Sequence, residues 1–201
     1  MSIIDSPPSK PSDDTRRRKL LEAAVTVFTR YGFRKTSMDE VARAAQISRQ
    51  GLYLHFATKE ELFRATLQSA MEGSLHAAKA VLGDPSLPIE PRLVRAFDAW
   101  MGRYVGTFGA GAADLEEASD ALVGSVLKHH KELFVESIAK TIRGSGLMAA
   151  YKAAGLNARQ LADTLAATAH GLKCTCESRA EFVERLTVAV RALCAPRRSA
   201  P

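Results

Sequence analysis

Two short apolar patterns joined by a bend too short to be a loop limit what this chain can fold into. Ser37-Met38-Asp39-Glu40 opens the first. A serine at the N-cap and a glutamate three residues on satisfy each other's backbone donors, which starts a helix there. Met38, Val41, Ala42 and Ala45 follow at i, i+3, i+4 and i+7, one buried face. Gln46-Ile47 then gives way at once to a second start, with Ser48 as N-cap and Ile47 and Leu52 at the two positions of a hydrophobic staple. Thr58 and Glu61 form a further cap signature. Only a sharp turn fits between the first two of these helices.

Helical signals continue in both directions. A helix is predicted over 15–31, with Leu21, Ala24, Val25 and Phe28 as its stripe and Gly32 at the C-cap. Further helices are predicted over 59–82, 91–108, 113–123, 125–143, 157–174 and 178–194, the last two opened by Asn157-x-x-Gln160 and Ser178-x-x-Glu181. Asp84-Pro85 and Leu87-Pro88 break the chain, and Gly106, Gly109 and Gly111 break it again. No alternating segment is long enough for a strand. The fold class is therefore all-α. It divides into an arm over 1–14, a helix-turn-helix domain over 15–62, a helical body over 63–195 and a tail over 196–201.

Charge separates the first domain from the second. Arg16 to Lys59 holds ten cations and three anions, a net +7, whereas the whole chain is +6, so everything else sums to −1. Such an asymmetry fits a polyanion-binding module on a near-neutral domain, although a solvated basic surface would look the same. Two helices with a tight turn inside that segment describe a helix-turn-helix, whose second helix fits the major groove of double-stranded DNA. Leu52 and Phe56, four apart, face inward. Arg49 then suits guanine, Gln50 suits adenine, and Gly51 lets the helix come close to a base. Thr36, Tyr53, His55 and Lys59 are placed for phosphates; Ser48 is either a phosphate contact or only a helix cap. The run Arg16-Arg17-Arg18-Lys19 either touches DNA, as basic arms do in a minor groove, or is a solvated helix start.

Tyr31-Gly32-Phe33, Thr36-Ser37-Met38-Asp39-Glu40-Val41-Ala42, Ile47-Ser48 and Leu52-Tyr53-x-His55-Phe56-x-Thr58-Lys59-Glu60-Glu61-Leu62 together resemble the signature of TetR-family regulators. The resemblance implies a nine-helix protomer, a homodimer on a palindromic operator, and repression relieved by a small-molecule effector in the C-terminal domain. It also implies phosphate contacts at Thr36, Tyr53, His55 and Lys59, and base contacts near Arg49, Gln50 and Gly51. Two positions depart from the pattern. Gln46 stands where the family usually has a turn glycine, so either it enters the left-handed region at about 1 kcal/mol or the turn differs slightly. Gln50-Gly51 replaces the usual Gly-Thr pair, which changes the base-reading surface.

The body offers partner surfaces without naming a ligand. Leu161, Leu165, Thr168 and Leu172 on one helix, and Phe182, Leu186, Val190 and Leu193 on the next, make stripes suited either to a two-fold four-helix dimer interface or to the core of one chain. Phe97, Trp100, Met101, Tyr104 and Phe108 form an aromatic stripe that serves as core or lines an effector pocket, with Met148, Tyr151 and His170 as further lining. A hydrophobic effector would suit it.

Several classes are excluded or unsupported. No apolar run reaches the roughly 18 residues of a membrane span, and the start lacks the features of a secretory signal. Three cysteines fit a reducing compartment, so a cytoplasmic protein is expected. Cys174-Thr175-Cys176 has no matching pair to complete a zinc set, and His129-His130 suits a solvated surface. No phosphate loop, nucleophile elbow or metal helix is present, so neither enzyme activity nor a cofactor is expected.

Overall fold

Capping decides where most of the helices begin. The computed structural model describes residues 13–107 and 111–195, and all its regular structure is helical. The chain runs α1 (Asp13–Tyr31), α2 (Met38–Ala44), α3 (Arg49–His55), α4 (Lys59–Leu82), α5 (Ile89–Met101), α6 (Ala112–Gly144), α7 (Met148–Tyr151), α8 (Ala158–Thr175) and α9 (Arg179–Cys194), with single 3₁₀ turns after α5 and α7. Ser37–Glu40 and Asn157–Gln160 form complete capping boxes. Ser48, Thr58 and Ser178 each accept a backbone N–H in the first turn of their helices. Asp13 and Asp14, expected in the arm, already belong to α1; the rest of the arm and the 196–201 tail lie outside the described residues.

Two of the predicted helices are one. The segments 113–123 and 125–143 join as α6, interrupted at Val123, whose backbone (φ −139, ψ 15) leaves the helical region. That kink divides labour. Leu115, Ala118 and Leu122 before it pack on the N-terminal core, while Phe134, Val135, Ile138 and Ile142 after it fill the body. The four-residue α7 carried no periodic signal and was not predicted.

Two cores result. The first joins Leu20, Leu21, Ala24, Val27 and Phe28 of α1 to Met38, Val41, Leu52, Phe56, Leu62 and Phe63. The Phe28 and Phe63 rings meet edge to face at 4.9 Å. The second gathers α5, α8, α9 and the far parts of α4 and α6 around Phe97, Trp100 and Phe134, with the Trp100 and Phe134 rings stacked at 4.8 Å. Because α4 is continuous through both, contributing Leu62 and Phe63 to one and Leu75, Ala78 and Leu82 to the other, it is a rigid link. No described helix is long and apolar enough to cross a membrane.

Candidate nucleic-acid interface

The bend between α2 and α3 closes in the way its sequence demands. Gln46 has φ 57, the one non-glycine positive φ among the described residues. Ile47 N–H reaches Ala42 O at 3.0 Å and Gln46 N–H reaches Arg43 O at 3.1 Å, the paired bonds of a left-handed helix stop. Satisfying those end carbonyls offsets the strain and lets Ser48 cap α3 directly, its Oγ accepting Gly51 N–H at 3.0 Å. In the preceding box, the backbone and hydroxyl of Ser37 hold the Glu40 carboxyl below its ordinary value.

α3 is seated by Leu52 (0 % exposed) and Phe56 (2 % exposed) and turns its other side outward. Arg49, Gln50, Tyr53, Leu54 and His55 are all exposed, and Gly51 is half-buried. Successive residues are about 100° apart around a helix, so Gln50 and Leu54 form the ridge farthest from Leu52. Arg49 and Tyr53 flank it on one side, Gly51 and His55 on the other. Leu54 was not singled out from the sequence, yet it is 82 % exposed. The available signal was its spacing: two residues from the inward Leu52 and four from Gln50.

Electrostatics organise the flank. The Arg49 guanidinium donates to Asp39 Oδ2 at 3.0 Å and lies 5.5 Å from the Tyr53 ring centroid. Tyr53 first and Asp39 second favour its charged form. Asp39 thus competes with DNA for part of the Arg49 guanidinium and holds it at the flank. Arg17 sits 5.5 Å from the Phe56 ring, which brings the exposed basic run at the start of α1 beside the end of α3.

Two of the proposed phosphate ligands are used inside the fold. Thr36 is 2 % exposed and its hydroxyl donates to Gly32 O at 2.7 Å, so its side chain braces the turn after α1 and is not a surface group. Lys59 is half-buried, donates to Phe33 O at 3.0 Å and Arg34 O at 3.3 Å, and covers the Phe33 ring at 4.5 Å. It ties α4 to the 33–34 turn. Tyr53 and His55 remain exposed beside the ridge.

The body residues sort differently from their sequence pattern. Leu161, Leu165, Phe182, Leu186 and Val190 are at most 5 % exposed and Leu193 is 9 % exposed, all in the chain's own core. Only Thr168 and Leu172 of those stripes are partly exposed. Phe97 and Trp100 are likewise packed core, Met101, Met148 and Tyr151 pack on it from the edge, and the Tyr151 hydroxyl donates to Leu193 O. Tyr104 is half-buried; its hydroxyl oxygen is buried and has no hydrogen-bond partner among the described residues. His170 is exposed on α8 and does not join the aromatic stripe; Phe108 lies outside the described residues.

Where the start of α6 meets the N-terminal core, Arg34 N–H donates to Asp114 Oδ2 at 2.7 Å and its guanidinium to Glu117 at 2.8 Å. A groove beside this pair is lined by Phe33, Glu60, Ala118 and Leu122. The N-terminus of α6 thus rests on the turn that holds α2.

Comparison with known proteins agrees with this geometry. Residues 20–66 match the model of the bacterial regulatory proteins, tetR family. Over 67 residues the chain is 40 % identical to the uncharacterized HTH-type transcriptional regulator YfiR of Bacillus subtilis, and the match spans a third of the length of each. Over 47 residues it is 38 % identical to a probable acrEF/envCD operon repressor of Escherichia coli, covering 23 % of this chain and 21 % of the relative. The crystal structure of a TetR-like transcriptional regulator from Rhodococcus sp. RHA1 superposes with TM-score 0.60 at 28 % identity, covering 92 % of this chain and 96 % of that one.

Proposed function

The chain belongs to the TetR family, and from that premise we propose that it is a sequence-specific DNA-binding transcriptional regulator. One observation carries this reading: a seven-residue helix seated by Leu52 and Phe56 presents Gln50, Leu54, Tyr53 and His55 outward from the segment that holds the chain's entire excess of positive charge. The flanking cations supply sequence-independent attraction to phosphates; the ridge supplies base contacts.

The protein acts as a homodimer on a palindrome, because one such helix reads too few base pairs to select a site. With the inward stripes used up by the core, the self-contact falls to the outer sides of the last two helices. There Thr164, Ala167 and Gly171 are exposed on α8 and Val188 is 65 % exposed on α9. Regulation is by occupancy, as a repressor, with a small hydrophobic effector favouring a dimer whose recognition helices are wrongly spaced. Such a shift needs an effector that binds the two arrangements unequally. The continuous α4 and the seating of α6 on the N-terminal core are the parts that would transmit it.

Selecting duplexes from a random pool, then titrating the enriched one against random DNA at two salt concentrations, tests the proposal. A palindrome bound at least about a hundredfold more tightly than random duplex supports it, with steep salt dependence. Equal affinity for every duplex refutes it.

A further inference from the structure

Leu54 joins neither core of the described residues. It is the most exposed large apolar side chain among the described residues, at 82 %, ahead of Val188 at 65 %. Both cores close without it, and it stands on a rigid seat: Leu52 and Phe56 on the opposite side of α3 are buried, and Ser48 caps the helix start. Around it are groups suited to a polyanion: Gln50 one turn before, Tyr53 and His55 on either side, Arg49 at the flank, and Arg17 against the Phe56 ring at the end of the helix. An apolar protein patch would bury those charges and amides against nothing. A surface that is anionic yet carries small apolar groups satisfies both demands. In the major groove the one such group on natural unmodified bases is the thymine C5 methyl.

We propose that Leu54 reads a thymine methyl in each half-site, next to the base met by Gln50. This rests on α3 entering the major groove. The helix geometry fixes the relation: Gln50 and Leu54 are about one turn apart on the outermost ridge, so they face neighbouring base pairs on one wall of the groove. Arg49, held at the flank by Asp39, lies off that ridge.

The test uses the full chain and the duplex enriched by it. Each thymine is replaced in turn by deoxyuridine, which removes the methyl and keeps every hydrogen-bonding group. For the wild type, one symmetry-related pair of positions should lose affinity by about fourfold per half-site, the value of one buried methyl. Leu54→Ala should bind the unmodified duplex more weakly and be indifferent to deoxyuridine at that pair. Leu54→Met, which keeps apolar reach, should retain the sensitivity. Because Leu54 touches no core, all three proteins should melt together. An enriched duplex whose affinity survives every deoxyuridine replacement overturns the assignment, as does a Leu54→Ala protein that stays as sensitive as the wild type. A wild type that enriches no duplex overturns the groove placement itself, and the assignment with it.

Discussion

Gly111 lies where a methyl group would have nowhere to go, and that makes the domain junction testable. A Cβ built on it falls 2.5 Å from Gly32 N and 2.6 Å from Tyr31 C and O, all backbone atoms that no rotamer change can move. Ordinary contacts to a Cβ are 3.4–4 Å, so Gly111→Ala must part the α6 terminus from the turn after α1 by about 1 Å. The backbone of Gly111 (φ −92, ψ 10) is one that alanine accepts, so the cost is steric. Two contacts then suffer. The 2.7 Å bond from Arg34 N–H to Asp114 passes the limit of a good hydrogen bond, and Leu115 withdraws from the N-terminal core where it is 5 % exposed. Overpacking costs about 1–3 kcal/mol, which for a chain of this size lowers Tm by about 3–9 °C. Gly73→Ala is the counterpart, on α4 with nothing within 4 Å of its Cβ. It should stabilise by about 0.5–1 kcal/mol, because glycine in a helix costs that much. Thermal melts of the two variants should therefore move in opposite directions, and Gly111→Ala should also weaken binding of the enriched duplex. A Gly111→Ala protein that melts at or above the wild type and binds DNA normally would refute close packing at the junction.

Replacing Gln46 by glycine removes a left-handed non-glycine residue and should raise Tm by about 2–4 °C, for about 1 kcal/mol, in the same melt; a fall would show that the Gln46 side chain stabilises the turn. Asp39→Asn releases Arg49 and should tighten binding to random duplex a few-fold, with about one more counterion released in the salt titration, so that selectivity falls. Unchanged random-duplex affinity would mean that Asp39 does not restrain Arg49. Glu40 has a folded pKa below its ordinary 4.5, set by bonds from Ser37, so its contribution is complete above the unfolded value and is lost as pH falls through the folded one. Glu40→Gln should therefore show a shallower loss of Tm between about pH 5 and pH 3 than the wild type, and identical slopes would count against the capping role.

The N-terminal domain was legible because its determinants are local. A cap and its partner are three residues apart, as in Ser37–Glu40, and the spacing of Leu52 from Phe56 is enough to orient α3. At Gln46 the sequence left two outcomes, a left-handed residue or a different turn, and the backbone takes the first. What local pattern could not supply was the state of each polar group. Thr36 and Lys59 have the right chemistry for phosphates, but one is buried against Gly32 O and the other spans to Phe33 O, a residue 26 positions away. Leu54 escaped notice for the opposite reason: an apolar residue on a short helix invites the assumption of burial.

In the body the difficulty is one of degeneracy. A stripe such as Phe182, Leu186, Val190 and Leu193 states only that one side of α9 avoids water, and a core, a dimer interface and a ligand cavity all meet that requirement. The tie breaks only when the number of competing faces is known. Here α5 and α8 lie against α9, and their own apolar sides absorb the whole stripe. The same count decides Phe97 and Trp100, because the far half of α6 brings Phe134 between them. That half is reached only through the kink at Val123, which the sequence marked as a break between two helices. For the homodimer proposed above, the self-contact falls on residues that look unremarkable in a pattern: Thr164, Ala167 and Gly171 on α8, and Val188 on α9. Small side chains let helices from two chains approach closely, so a dimer there gains from tight packing of many weak contacts and needs no apolar ridge.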